Sequence, residues 1–379
     1  MTKRLREIAF LFFKLGCIAF GGPAAHIGMM DDEAVTRRQW LTREHFLDLV
    51  GATNLIPGPN STEMTMHIGY ERAGLRGLLL AGTMFILPAA TITLFLAWLY
   101  TTYGTLPQVQ TLLWGIKPAV LAIILSAVWK LGRKAVKNWG LAGLGVLVLA
   151  AVLLGADEVL VLLIGGLVGM LVWGLVRKWR GMPLLLFWPG LIQQNPGSQT
   201  VSEVPLIDLA LFFLKVGATL YGSGYVLVAY LQGGLVEQLS WLTQEQLLDA
   251  IAIGQFTPGP VLTTATFVGF LVAGVPGGII ATVAIFLPSF IFVLILNPLI
   301  PKMRGSKWLS AFLDAVNVSA VALMMAVLIL LGRATLTSWP AAVIALAAAI
   351  ASLWFQVSSV WIILGGAGLG YLFHLLGLA

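Results

Sequence analysis

What this chain can fold into is constrained first by the fact that it contains itself twice. Trp40-Leu41-Thr42-Arg43-Glu44-His45-Phe46-Leu47-Asp48 returns as Trp241-Leu242-Thr243-Gln244-Glu245-Gln246-Leu247-Leu248-Asp249, with six of nine positions identical. The same displacement carries Pro57-Gly58-Pro59 onto Pro258-Gly259-Pro260. After one deletion in the second copy, Ala73-Gly74 pairs with Ala273-Gly274, Pro88 with Pro288, Gly132-Arg133 with Gly332-Arg333 and Trp139 with Trp339. Residues 1–181 and 205–379 are thus one unit used twice, joined by a connector, 182–204, rich in Pro, Gly, Gln, Asn and Ser.

Composition says which solvent this unit folds in. The chain is 59% hydrophobic and only 10% charged, against about 45–50% apolar and about 25% charged for a soluble domain. Stretches such as Gly77 to Tyr100, Val109 to Trp129, Ile279 to Asn297 and Trp308 to Leu331 match the roughly 20 residues that cross a bilayer as a helix. The expected fold is therefore an all-α polytopic membrane protein, multi-pass in the cytoplasmic (inner) membrane, with lipid as its solvent. No signal peptide is expected, because the apolar run after Lys3, Arg4 and Arg6 continues into the repeat without a small-residue cleavage site.

Several chemistries are disfavoured at once. A single cysteine, Cys17, excludes a disulfide framework within the chain, and His26, His45, His67 and His374 show no paired metal-ligand spacing. No Gly-rich loop leads into Lys-Ser/Thr, so nothing cradles a nucleotide. No cofactor, metal or nucleic acid is expected, and an ion or substrate gradient is left as the energy source. The formal charge of +6 has a plain reading, cytoplasmic anchors obeying the positive-inside rule, and a functional one, attraction of an anion.

Hydropathy gives about six helical segments per copy: Phe10 to Met30, a proline-interrupted stretch at Glu44 to Tyr70, then Gly77 to Tyr100, Val109 to Trp129, Trp139 to Ala156 and Val159 to Trp179, repeated from Ile207. Loop charges set the relative orientation of the copies. The turn Tyr103 to Gln108 has no Lys or Arg while its counterpart carries Lys302, Arg304 and Lys307. Lys130, Arg133, Lys134 and Lys137 are matched only by Arg333, and Glu71-Arg72 with Arg76 face a chargeless Ala273 to Gly278. Each loop that is basic in one copy is poor in the other, which predicts inverted copies about an axis in the membrane plane. Six crossings per copy conflict with inversion, so either Met182 to Leu191 makes a crossing or a segment in each copy fails to cross.

Four glycine and proline triplets break the helices: Gly21-Gly22-Pro23, Pro57-Gly58-Pro59, Gly222-Ser223-Gly224 and Pro258-Gly259-Pro260. Unwound backbone survives in a bilayer only where it lines a cavity or is buried in protein, and matched breaks in two copies are the mark of a transporter's binding site. After the first Pro-Gly-Pro, Asn60-Ser61-Thr62 restart a helix whose free N–H groups favour an anion; Thr263 offers a weaker version after the second. Lys14 and Lys215 lie in equivalent apolar runs, where an ammonium calls for a partner or a cavity, although Lys14 near its helix start also suits snorkelling. Asn54 and Gln255 precede the two Pro-Gly-Pro triplets by matching distances. Glu63, replaced by Thr264 in the second copy, is an intramembrane carboxylate suited to carrying a proton or to pairing with a lysine; His67, at i+4, lies on its face. Candidate substrate ligands are accordingly Lys14, Gly21, Gly22, Asn54, Gly58, Asn60, Ser61, Thr62, Lys215, Gly222, Ser223, Gln255, Gly259 and Thr263, with Glu63 and His67 as the proton-coupling pair. His26 is a weaker candidate, and Lys117, Asn317 and Asp314 come second.

Phe13-Lys14-Leu15-Gly16 with Phe20-Gly21-Gly22-Pro23, Trp40-Leu41, Pro57-Gly58-Pro59-Asn60-Ser61-Thr62-Glu63 and Gly69-Tyr70 with Gly74 and Gly77 resemble the chromate ion transporter family, in its long form with two fused homologous halves. The second copy departs from the pattern at Gly222-Ser223-Gly224, where the proline is missing. The resemblance implies export of chromate, driven by a proton gradient or the membrane potential and conferring resistance, with sulfate as a competing dianion. Uptake or exchange of sulfate or another oxyanion is the alternative, and an intramembrane enzyme built on Glu63 and His67 a more distant one. Monomer and homodimer both remain open.

Overall fold

The structure, a computed structural model, describes residues 2–178, 204–222, 224–297 and 307–378. Among the described residues each copy holds seven helices. In the first they are α1 (Thr2–Ile18), α2 (Gly22–Met30, continued by a π-helical turn, Asp31–Arg37), α3 (Arg43–Thr53), α4 (Asn60–Tyr103), α5 (Pro107–Ala135), α6 (Trp139–Leu153) and α7 (Glu158–Lys178). Their equivalents are α8 (Leu206–Thr219), α9 (Leu227–Tyr230, continued as Leu231–Gln238), α10 (Gln244–Phe256), α11 (Thr264–Leu296), α12 (Lys307–Thr335), α13 (Trp339–Leu353) and α14 (Ser359–Leu375).

Two of the predicted segments in each copy are hairpins instead of single helices. The run Phe10 to Met30 breaks after Ile18 and folds back at Gly21-Gly22, both at positive φ (103° and 80°), so that Lys14 on α1 meets Glu33 beyond α2. Glu44 to Tyr70 likewise descends as α3, turns at Pro57-Gly58-Pro59 and returns in the first arm of α4, where Glu71 comes back beside His45 at 3.5 Å. Both pairs are re-entrant. At Ala73-Gly74 the chain reverses again, Gly74 standing at φ 62° and ψ −150°, a conformation open to glycine. Gly69 on one arm then packs directly on the Gly77 carbonyl of the other. Ala73 and Gly74 recur as Ala273 (φ −144°) and Gly274 (φ 62°), with Gly269 against Gly277 and Thr266 hydrogen-bonded to Thr282 at 2.7 Å.

Each copy thus has two re-entrant hairpins, α1–α2 and α3 with the first arm of α4, followed by four further runs: the second arm of α4, α5, α6 and α7. Four described helices are long and apolar enough to cross a membrane, Asn60–Tyr103, Pro107–Ala135, Val261–Ile295 and Trp308–Thr335. With no hydrophobic drive between helices in lipid, close approach of small residues holds such helices together. Gly115 on α5 packs on Gly366 and Gly370 of α14, and Gly165 and Gly169 of α7 pack on Ser319 and Ala315 of α12.

Equivalent helices run antiparallel. Gly82 of α4 faces Phe290 of α11, while Leu94, further along α4, faces Gly278, earlier in α11. A two-fold relating antiparallel helices is perpendicular to them, so it lies in the membrane plane, as the loop charges predict. The contact map obeys it: α5 packs on α14 as α12 packs on α7, and α1 on α4 as α8 on α11. The hairpins account for two predicted segments per copy that turn back on themselves; Met182 to Leu191, the other candidate for the odd step, lies outside the described residues. Arg43 pairs with Asp31, His45 lies against Glu71, and Arg72 joins Glu7 to Trp40, which Arg38 also covers; these residues mark one face, the basic face.

Candidate functional site at the helix breaks

The hairpin tips of the two copies meet, and the copies are stitched together there. The N–H of Gly58, in the first Pro-Gly-Pro turn, donates to the carbonyl of Leu220 at the end of α8 (2.7 Å). The N–H of Gly259 in the second turn donates to the carbonyl of Ala19 at the end of α1 (2.8 Å). Ala19 and Leu220 are equivalent, so the bonds are a symmetric pair across the two-fold. Both glycines need positive φ, 140° at Gly58 and 88° at Gly259, and neither has room for a side chain: Gly58 abuts Glu63 and Ser289, and Gly259 abuts Ala89.

From these tips the returning helices start. α2 begins at Gly22 and α4 at Asn60; α9 and α11 follow short 3₁₀ turns, Gly224–Val226 and Val261–Thr263. Their first N–H groups have no acceptor within the helix, so several positive helix ends converge on the junction of the copies, an arrangement that favours an anion. Asn60 Nδ2 donates to Asn54 Oδ1 (2.8 Å), and Asn54 Nδ2 to the Val50 carbonyl (3.0 Å), which places both amides beside the first turn. Ser61 and Thr62 are buried, the Thr62 hydroxyl without a partner. In the second copy Thr263 donates to the Pro260 carbonyl and Tyr225 to Gln255 Oε1 (3.5 Å). Gly21 and Gly222 are exposed and Gly22 is buried at their respective tips; Ser223 lies outside the described residues.

Glu63 is fully buried, and neither carboxylate oxygen has a hydrogen-bond partner in the structure; Ser289 is the adjacent hydroxyl. His67, also fully buried, sets Nδ1 at 3.0 Å from Asn297 Oδ1 and leaves Nε2 without a partner. Here the copies diverge together. Glu63 corresponds to Thr264 and Ser289 to Ala89, so one half of the centre is acid plus hydroxyl while the other is hydroxyl plus methyl. Ser289 and Asn297 escaped notice in the sequence, though subtracting one copy from the other reveals Ser289.

The lysines behave differently from the expectation. Lys14 is partly exposed and its ammonium turns to Glu33 Oε1 at 2.9 Å; Lys215 is exposed and lies 3.9 Å from Asp157 Oδ2. Equivalent in sequence, they take unrelated partners, and neither is buried among apolar groups at a tip. The Lys14 and Arg38 charges hold the Glu33 carboxyl below its ordinary value, the Lys14 hydrogen bond being the largest cause. His26 donates to or accepts from nothing beyond Ala19, whose carbonyl lies 3.1 Å from Nε2.

The copies also differ in how they are packed. The hairpins of the second copy share one hydrophobic core with α5 and α12, and α10 packs on α5 and α14. Those of the first copy form a separate core with α4. Leu47 on α3 is 60% exposed where its equivalent Leu248 on α10 is 3% exposed, and Asn54 is exposed where Gln255 is buried. On the basic-face side α3 is therefore left uncovered, while α10, on the opposite, far face, is packed in against α5 and α14.

Two inverted copies of a helical membrane unit, with broken helices meeting at their junction, define the class of membrane transporters built from inverted repeats. Within that class the chain belongs to the chromate transporter family, whose pattern matches residues 6–170 and again 207–371. It is 33% identical over 377 residues to the "Chromate transport protein" of Cupriavidus metallidurans, covering 97% of this chain and 92% of that one. It is 34% identical over 352 residues (92% and 90%) to the "Probable chromate transport protein" of Synechococcus elongatus, and 30% identical over 378 residues (94% and 89%) to the "Chromate transport protein" of Pseudomonas aeruginosa. No solved structure matches the chain.

Proposed function

We propose that this protein exports chromate across the cytoplasmic membrane by alternating access, driven by the proton gradient or the membrane potential. The observation that carries the reading is the convergence of helix N-termini at the stitched junction of two inverted copies, a site for an anion with several acceptor oxygens. The chromate-named relatives, matched over nearly their full length, supply the substrate. Sulfate, a dianion of the same shape, competes for the same donors. The ligands are the backbone N–H groups and polar side chains at the tips: Gly21, Gly22, Asn54, Gly58, Asn60, Ser61 and Thr62, with Gly222, Ser223, Gln255, Gly259 and Thr263 opposite. Lys14 and Lys215 act on the approaches, raising the local anion concentration.

Direction and coupling follow from two further features. The basic face is cytoplasmic by the positive-inside rule; on this reading the uncovered α3 borders a crevice open to that side, the loading side of an exporter. Glu63 is an acid with unsatisfied oxygens next to the anion site, and a proton there offsets the dianion's repulsion; His67, on the same helix face, relays protons toward the basic face. Inward-directed proton movement through Glu63 then alternates with outward movement of chromate. Proteoliposomes of known orientation test this: uptake of labelled chromate is expected to saturate, to respond to imposed pH or voltage gradients and to be competed by sulfate. Folded protein that moves no chromate under any gradient refutes the proposal.

A further inference from the structure

The packed far face is held by two polar contacts between α10 and the helices it packs on. Tyr100 Oη, near the end of α4, donates to Asp249 Oδ2 at 2.9 Å, and Lys117 Nζ on α5 lies 3.7 Å from Glu245 Oε2. Asp249 is 3% exposed, its Oδ1 has no hydrogen-bond partner, and Lys117 is close enough to act on it electrostatically. A lysine in the middle of a membrane helix requires such partners. The Lys117 ammonium is nevertheless shared loosely between two acids, one of them on a side chain that is 80% exposed.

The other copy shows where that charge goes when the protein turns over. The equivalent of Lys117 is Asn317, whose Oδ1 stands at the Gly222 tip, 3.2 Å from where a β-carbon there would lie. In an inverted-repeat protein the oppositely facing state is approximated by exchanging the conformations of the two copies. Under that exchange Lys117 takes the place of Asn317 and stands at Gly21, the start of α2, while Asn317 takes the place of Lys117 and faces Glu44 and Asp48. We propose that Lys117 is a gate lysine that alternates between two stations: paired with Glu245 and within the field of Asp249 it clamps the far face shut, and drawn to the anion at the α2 end it releases α10 and opens that face. Substrate and carboxylates compete for one ammonium, so cargo itself unlocks the exit. Because Asn317 carries no charge, the opposite gate lacks this dependence, and the two strokes of the cycle are unequal.

The inference rests on the transport reading, and its test separates the two. In a Cys17→Ser, Leu248→Cys background, the rate at which a membrane-impermeant maleimide labels position 248 from the far face reports the seam opening. Lys117→Met and Glu245→Gln are each expected to raise that rate about fivefold without substrate, the size of a modest ion pair, while Lys117→Arg stays near the parent. Glu245 is a surface side chain, so its variant remains informative where Lys117→Met fails to fold. Chromate is expected to raise the rate in the parent and not in Lys117→Met. Parental rates in both Glu245→Gln and Lys117→Met overturn the clamp. A parent that ignores chromate, with both variants still opening the seam, supports the clamp and refutes chromate as the cargo.

Discussion

Replacing Gly58 with alanine puts the central turn under a load that can be worked out from its geometry. The residue sits at φ 140°, and holding a residue with a side chain in a sparsely populated backbone region costs about 1–3 kcal/mol. The new β-carbon lands on the Glu63 carboxylate and the Ser289 hydroxyl, and displacing them inside a filled core costs about 1–3 kcal/mol more. Alanine keeps the N–H that bonds to Leu220, so the change tests the shape of the turn and leaves the stitch chemically available. Together these predict a loss of about 2–6 kcal/mol in reversible unfolding of the purified protein by denaturing detergent. Gly28→Ala is the control: nothing lies within 4 Å of its β-position, and alanine in a helix is favoured by about 1 kcal/mol over glycine. A Gly58→Ala protein within about 0.5 kcal/mol of the parent, the range of ordinary surface changes, would show that the turn is not held as described.

Glu63→Gln is expected to leave chromate binding in place and to abolish the dependence of transport on an imposed pH gradient; an unchanged pH response removes Glu63 as the proton carrier. In a Cys17→Ser background, Asn54→Cys is expected to react with an impermeant maleimide applied from the basic face and Gln255→Cys to be protected from the opposite one, and the reverse pattern would place the crevice on the wrong side. Lys215→Met is expected to raise the half-saturating chromate concentration by a few-fold at low salt and hardly at all at high salt, since exposed charges are screened; complete loss of binding would put it among the direct ligands after all. Glu33 sets an acid limit. Its carboxyl is held below its ordinary value of 4.5, so its contribution to stability is fully present above that pH and is lost as pH falls through the lower folded value. Thermal stability measured against pH is expected to drop on that acid side, and Glu33→Gln to remove that part of the drop.

The duplication, the inversion and the helix breaks were legible because each leaves a local trace. Repeats are self-similar, inserted loops carry lysine and arginine on one side only, and broken helices require Gly and Pro at Gly21-Gly22-Pro23 and Pro57-Gly58-Pro59. The hairpins were not legible. Hydropathy registers how apolar a stretch is and is blind to its direction, so Phe10 to Met30 reads as one span although it descends and returns. The reversal at Ala73-Gly74 is hidden for the same reason, with one glycine at positive φ between two apolar arms. The different partners of Lys14 and Lys215 were not legible, because equal positions in two copies need not meet equal surroundings: Glu33 has no acidic counterpart in the second copy, where Gly234 stands. Contacts such as Glu63 with Ser289 or His67 with Asn297 join residues far apart in the chain, and no local pattern announces them.

The paired N–H to carbonyl bonds at Gly58 and Gly259 bear on something other than recognition. On the proposed cycle, an exporter whose two faces open in turn is useful only if it never becomes a hole, because a continuous water path would let protons run down the gradient proposed to power it. Each bond ties the tip of one copy to the helix end of the other, at the midpoint where neither face's motion has leverage. The seal therefore belongs to both copies at once and is independent of which one has swung open. Leakiness to protons, more than loss of cargo, is the defect that damage to this fulcrum produces.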